Sequence, residues 1–219
     1  MTAPGPETLS SEQLKVLEAQ LERMRSMLYG YYDQFYRFLN IHLVSLFALI
    51  AVGLWGVERI ALLLPFYVVF IGFHAAYLYS YVIFARTYAT AIERRINTHL
   101  GGSYLVAHEL EAAYIFPISR RRFVAFSPAT PGSFLSGETV MFTSGGALLY
   151  GVLAVWATRH AIDVSSLWAA LYVGTLATWS AGTLGYLAWY HLRGNYEQRL
   201  RTILSTHYDA SYREDGQAL

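Results

Sequence analysis

Cysteine is absent from this 219-residue chain, which excludes disulfides, catalytic thiolates and cysteine-ligated metals. Charged residues make up only 14% of it, against about 25% in ordinary soluble domains. Lys15 is the only lysine, so a retinal protein with a Schiff-base lysine inside a span is also excluded. By contrast, 55% of the residues are hydrophobic and 18 are tyrosine. These proportions argue against an ordinary soluble fold and against a disordered chain, and they indicate a membrane protein.

Four stretches contain no Asp, Glu, Lys or Arg and are long enough to cross a bilayer, which takes about 20 residues in a helix. They are residues 38–57, 60–85, 139–158 and 166–190. Glu58 and Arg59 leave room only for a tight turn between the first two stretches, and a short polar loop separates the last two. The sequence therefore predicts an all-α integral membrane protein, with four transmembrane helices forming two similar hairpins and with helical cytoplasmic extensions.

The positions of the basic residues predict the topology. All of them except Arg59 and Arg159 lie outside the two hairpins, on the face that the positive-inside rule assigns to the cytoplasm. Arginine has replaced nearly all lysine, which suggests a GC-rich bacterial genome and hence a bacterial inner membrane. The predicted parts are a cytoplasmic amphipathic helix (1–37), a first transmembrane hairpin (38–85), a cytoplasmic helix and loop (86–138), a second transmembrane hairpin (139–190), and a cytoplasmic helix and tail (191–219).

Two cytoplasmic segments that follow the hairpins resemble each other. At a constant offset of 104 positions, Glu93, Arg95, Thr98 and Leu100 align with Glu197, Arg199, Thr202 and Leu204. One interpretation is a duplicated unit, made of a hairpin followed by an amphipathic helix. The other is that any helix leaving a membrane favours arginine at the interface. Both interpretations stay open at the level of sequence.

The N-terminal segment has the pattern of a long amphipathic helix. Ser10 and Gln13 form a potential capping box, and apolar residues then recur with alternating spacings of three and four. Such a seam needs a partner helix. The candidates are a second copy of the chain or the amphipathic helices near residues 92–100 and 196–204 of the same chain. The seam consists of Leu14, Leu17, Leu21, Met24, Leu28, Tyr31, Phe35 and Phe38.

Two histidines lie inside predicted spans, where ionisable groups are costly and are candidates for function. His42 lies about one helical turn into the first span, beside Asn40, and His74 lies near the middle of the second. The two histidines are either structural hydrogen-bonding residues or, together with Asn40, candidates for an ion or proton path. Haem ligation by both is not expected, because counting from the ends of the spans separates their depths by about 12 Å.

Two further groups of residues are candidates for contact. Gly174, Thr178 and Gly182 repeat every fourth position, a pattern that lets helices pack closely, so leucine at either glycine should destabilise the fold. Arg120, Arg121 and Arg122 stand beside an apolar run. They indicate contact with anionic lipid headgroups, or alternatively a specific anion site.

Recognised signatures of chemistry are missing from the sequence. His99, His108, Glu109 and Glu111 are suitable residue types for metal but do not have a known ligand spacing, so neither a metal nor a cofactor is expected. No nucleic-acid partner is expected either. The segment with Tyr88, Glu93, Arg94, Arg95 and Glu109 resembles one found in uncharacterised bacterial four-span proteins, a resemblance that implies no particular activity.

These features lead to three functional hypotheses. The first is a non-enzymatic, self-associating inner-membrane protein that binds a cytoplasmic partner or responds to a signal. The second is a small ion or proton channel or transporter that uses His42 and His74. The third is a membrane-embedded enzyme acting on lipid, for which the sequence offers no assembled acid, base and nucleophile.

Overall fold

The computed structural model describes residues 9–114, 134–192 and 195–207, and every element in these ranges is helical. The predicted all-α class is therefore confirmed for this part of the chain. In chain order the elements are α1 (Ser11–Leu54), a short 3₁₀ helix (Glu58–Leu62), α2 (Leu64–Leu100), α3 (Ala107–Tyr114), α4 (Phe134–Val164), α5 (Ser166–Leu187), a π-helical turn (Ala188–Leu192) and α6 (Asn195–His207).

Local signals in the sequence fix the ends of α1 and α2. The capping box is present: the Ser10 hydroxyl accepts from the Gln13 backbone N–H at 3.2 Å, and the Gln13 side chain accepts from the Ser10 N–H at 2.8 Å. Pro65 lies in the first turn of α2, where its missing N–H costs nothing. Gly101 ends α2 with a φ of 70°, a left-handed conformation that glycine adopts without a steric penalty.

The heptad seam of α1 packs against α2 of the same chain. Leu17 and Met24 lie against Ile92 and Ile96, whereas Leu28 contacts residues near Val82. Residues further along α1 thus meet residues earlier in α2, so the two helices are antiparallel. Of the partners proposed for the seam, the amphipathic segment around residues 92–100 is the one found here. Helix α6 also contacts α2.

A second antiparallel pair, α4 and α5, lies beside the first. The Tyr150 hydroxyl of α4 and the Ser180 hydroxyl of α5 are 2.8 Å apart, and only Ser165 separates the two helices in sequence. Leu153 of α4 joins the apolar cluster of α1 and α2 formed by Leu39, Leu46, Leu64 and Ile71. The two pairs therefore share one core.

Three helices of the described ranges are long and apolar enough to cross a membrane: Ser11–Leu54, Leu64–Leu100 and the Gly137–Val164 part of α4. Helix α5 is not one of the three. It has 22 residues and none of them is charged, but its glycines, serines and threonines lower its mean hydropathy. The composition and these three helices together indicate a membrane protein.

The two predicted repeats differ where they leave the apolar region. Helix α2 continues without a break from its apolar half through Glu93 to Leu100. After α5, by contrast, the chain passes through a π-helical turn before α6 begins at Asn195. The aligned segments therefore follow two different exits, one continuous and one interrupted.

Gly53 is a close-packing position that the sequence pattern did not reveal. A Cβ atom at Gly53 would lie 2.8 Å from the Trp156 ring of α4, whereas a Cβ at Gly174 or Gly182 would meet no atom within 4 Å. Among the described residues, the close packing expected at Gly174 and Gly182 is not seen, because no side chain or neighbouring backbone lies within 4 Å of either Cβ position. This face of α5 lines an open groove.

We expect Gly53→Leu to destabilise the chain by about 1–3 kcal/mol, because Trp156 must move to admit the side chain. Gly174→Leu is the control and should leave unfolding of the monomeric chain nearly unchanged. Thermal unfolding in detergent, at a concentration where the chain is monomeric, measures both. Equal destabilisation by the two substitutions would contradict this assignment of the packed and the open glycine.

Candidate functional site

The most distinctive polar site lies where α1, α2 and α3 meet. Glu93 of α2 is 1% exposed, although it carries a carboxylate. Arg25 of α1 forms an ion pair with one oxygen of Glu93. The other oxygen accepts from the backbone N–H of His108 at 3.2 Å and lies 3.0 Å from Nδ1 of the same residue. A buried carboxylate is tolerated only with such compensation.

Glu111 of α3 extends this network to a second arginine. Its Oε1 lies 3.5 Å from the Arg25 guanidinium, and its Oε2 accepts from Nε of Arg86 at 3.2 Å. We call the set Arg25, Arg86, Glu93, His108 and Glu111 the corner cluster. It joins three helices through two arginines and two carboxylates, all of them at least partly buried.

The electrostatics of the corner cluster favour a charged Glu93. Burial by itself would raise the pKa of the Glu93 carboxyl, but hydrogen bonds from His108 and Arg25 and the Arg25 charge outweigh it. The pKa of Glu93 is therefore lower than its ordinary value. The carboxylate form is the one that holds α3 to the other two helices.

The connection between α2 and α3 is fixed by Asn97. Its side-chain oxygen accepts from the backbone N–H groups of Tyr104 and Leu105, at 3.1 and 2.8 Å, and its amide nitrogen donates to the Leu105 carbonyl at 2.8 Å. One side chain thus satisfies three backbone groups of a turn, much as a cap satisfies a helix end. The turn brings α3 back onto the side of α2 that carries Glu93.

The four residues considered for metal binding do not converge on one point, because they have different partners. Nδ1 of His99 accepts from the Leu9 N–H at 3.1 Å, near the start of α1. His108 contacts Glu93 through Nδ1, and its Nε2 lies 3.9 Å from a Glu109 carboxylate oxygen. Glu111 instead pairs with Arg25 and Arg86. Within the described ranges, no group of three or more His, Cys, Asp or Glu residues is arranged to hold a metal ion.

His42 and His74 both contact the ring of Phe38, although the count along the sequence placed them at different depths. The Phe38 ring centroid lies 4.2 Å from that of His42 and 4.5 Å from that of His74. The depth count placed the cytoplasmic end of the second span at Ala85, but the residues just before Ala85 pack against the polar half of α1. An uncharged stretch can be buried in protein as well as in lipid, so a count from Ala85 does not fix the relative depth of the two histidines.

The two histidines have different partners. Nδ1 of His42 is 2.6 Å from the Tyr67 hydroxyl, a hydrogen bond between α1 and α2. His74 makes ring contacts with Phe38, Phe70 and Tyr77, but it has no hydrogen bond among the described residues. Asn40 lies on an exposed face of α1, apart from this group. We call the side chains of Phe38, His42, Tyr67, Phe70, His74 and Tyr77 the ring cluster.

The remaining predicted site residues lie elsewhere. Gly174, Thr178 and Gly182 line an open groove of about 770 Å³ along α5, closed on one side by Phe73 of α2. The Thr178 hydroxyl donates to the Gly174 carbonyl of its own helix at 2.8 Å, so the groove is apolar in character. Arg120, Arg121 and Arg122 lie outside the described residues.

Sequence reasoning overlooked the corner cluster as a unit. The sequence marks Glu93 as part of a repeated and charged segment but does not connect it with Arg25 of the N-terminal helix. The available signal was the position of Glu93 within the apolar stripe of Ala89, Ile92 and Ile96, where a carboxylate must be paired. Its partner could not be chosen, because several arginines were candidates.

We expect Glu93→Gln to lower the free energy of unfolding by about 1–3 kcal/mol, because it removes one charge of a largely buried pair. Asp33→Asn is the control. It breaks the exposed Asp33–Arg37 pair and should cost less than about 0.5 kcal/mol. Chemical denaturation in detergent at neutral pH measures both, and equal effects would contradict the role of Glu93.

The same variants predict a pH dependence. Because the pKa of Glu93 is lower in the folded chain, its contribution is present at neutral pH and is lost as the pH falls through that value. The stability difference between the wild type and Glu93→Gln should therefore shrink on acidification.

Comparisons with known proteins do not extend this description. Neither protein-family models, nor curated proteins, nor solved structures give a match to this chain. The segment around Glu93 therefore has no family role to which it can be assigned. Functional reasoning starts from the corner cluster, the ring cluster and the apolar helices themselves.

Proposed function

We propose that this chain is a non-enzymatic, multi-pass protein of a bacterial inner membrane that binds a cytoplasmic partner or responds to a signal. One observation carries the proposal. Helices α1 and α2 run without a break from an apolar half into a polar half, where they meet α3 at the buried Glu93. We call the polar halves, residues 11–36 and 78–100, the stalk. Rigid helices of this kind can pass a displacement from one end to the other.

Polar and aromatic contacts support two membrane boundaries. The Tyr36 hydroxyl donates to the Glu138 carboxylate at 3.2 Å, which places these residues of α1 and α4 at one level. At the other end, Nδ1 of His160 lies 3.5 Å from Glu58. From Tyr36 to Trp55 is about 28 Å along α1, close to the roughly 30 Å of a bilayer core.

Helix α5 completes the proposed membrane region as a fourth span. It is uncharged, it pairs with α4, and its Tyr172 hydroxyl donates to the Leu62 carbonyl at the turn between α1 and α2. With α5 inside the bilayer, the excess of arginine on one face supports cytoplasmic termini. Self-association is part of the proposal, and the open groove along α5 supports it because small residues let another helix approach.

A proton path is the second candidate function, and the ring cluster favours it. The Tyr77 and Tyr81 hydroxyls are 2.8 Å apart, His74 contacts Tyr77, and His42 is hydrogen-bonded to Tyr67. These groups follow one another along the contact between α1 and α2. The Phe38 ring lies between the two histidines, so a proton would need a water molecule or a side-chain movement to pass it.

We expect a reporter fused after Leu219 or inserted at Ser127 to be cytoplasmic, and one inserted at Asp163 to be periplasmic. The physical reason is the retention of arginine-rich segments on the cytoplasmic side. Paired alkaline phosphatase and green fluorescent protein fusions measure the location of each site. Phosphatase activity at Ser127 would contradict the proposed topology.

His74→Phe tests the second candidate. Phenylalanine keeps a ring in the stack but cannot bind a proton, so the variant should fold normally and lose any proton flux of the wild type. His99→Gln, in the stalk, is the control and should keep the flux. Flux into liposomes with a pH-sensitive dye is the measurement, and a wild type without flux would contradict the proton path.

A further inference from the structure

The Glu111 carboxylate occupies a position that resembles a bound anion. Each of its oxygens faces a different arginine, Arg25 at 3.5 Å and Arg86 at 3.2 Å. The two arginines come from different helices, α1 and α2, and Glu111 comes from a third. Guanidinium groups that converge on two oxygens of one acid are the usual way in which proteins bind carboxylates and phosphates.

The described side chains of α3, residues 107–111, hold it in this position through polar contacts. None of the described side chains of α3 belongs to an apolar cluster of the stalk, and Leu110 is 55% exposed. The described contacts are the bonds of His108 to Glu93 and of Glu111 to the arginines. A ligand that offers the same polar groups could take the places of the His108 and Glu111 side chains.

Without α3, the charges that remain define the ligand. Arg25 and Arg86 lose the Glu111 carboxylate, and Glu93 loses the two donors that His108 supplies. The replacement must therefore combine an anion for the arginines with a hydrogen-bond donor for the Glu93 carboxylate. A phosphate ester with a neighbouring hydroxyl group provides both, and its phosphate carries more charge than the Glu111 carboxylate.

We propose that Arg25, Arg86 and Glu93 form a binding site for a small soluble phosphate ester, which Glu111 occupies in its absence. Arg25 lies about 16 Å along α1 from Tyr36, at the proposed boundary. That distance favours a soluble phosphate ester over the headgroup of a lipid. The inference rests on the proposed signal-responsive function and names the class of signal, whose binding releases α3.

The test uses the full chain in micelles of a neutral detergent, with sn-glycerol 3-phosphate as the probe and glycerol as its phosphate-free control. Glu111→Gln removes the competing charge and should bind the probe about tenfold more tightly than the wild type, which corresponds to about 1.4 kcal/mol. Arg86→Lys keeps the charge but loses the planar fork, and should weaken binding in the Glu111→Gln background. Arg23→Gln, an exposed neighbour on α1, is the control for general charge.

Isothermal titration measures the affinities, and hydrogen exchange of residues 102–114 measures the release of α3. Faster exchange in the wild type on addition of the probe is expected, with no change on addition of glycerol. Equal affinity of the wild type and Glu111→Gln would overturn the inference, as would equal losses from Arg86→Lys and Arg23→Gln. Binding of phosphatidic acid incorporated in the micelles, without binding of the soluble probe, would overturn the assignment of the site to a soluble phosphate ester.

These outcomes are independent of the topology reporters. Binding is measured in detergent, where orientation in a membrane plays no part. A failed titration with correct reporters would remove the phosphate site and leave the proposed membrane module in place. If the reporters contradict the topology but the titration succeeds, the site loses its cytoplasmic assignment, and the proposed binding of a phosphate ester stands.

Discussion

The stalk depends on compensation of the buried Glu93 charge. A carboxylate that is 1% exposed would be strongly destabilising by itself, so its partners must be in place whenever the helices are packed. Arg25 and His108 supply that compensation from α1 and α3. Since the requirement can be met in few arrangements, one side chain fixes how three helices meet. Apolar contacts such as Ile92 with Met24 provide the attraction but far less direction.

The register set in the stalk extends into the apolar half. Helices α1 and α2 continue from the stalk without a break, so the pairing that places Arg25 on Glu93 also places Phe38 against His74 and His42 against Tyr67. The corner cluster and the ring cluster are therefore two points on one helix pair. A change at either end that shifts α1 along α2 would disturb the other, and the proposal of a signal-responsive module rests on this coupling.

The second helix pair contributes a different kind of surface. Helix α4 is tied to α1 through Trp156 and Gly53, whereas α5 leaves a groove open along its small residues. Close packing and open space thus occur at glycines that the sequence does not distinguish. Together with the π-helical turn after α5, this makes the second pair unlike the first, although similar segments follow the two predicted hairpins.

The sequence by itself determined the helices, their ends and the apolar character of the chain. Ser10 with Gln13, Pro65 and Gly101 act on their own neighbours, so their effects can be read locally. Tertiary structure decided which surfaces meet. The register between helices decides that Arg25 is the partner of Glu93 and that Phe38 contacts both His42 and His74. It also decides that Gly53 is the closely packed glycine. That register is a sum over many contacts between residues far apart in sequence, which periodicity along a single helix does not contain.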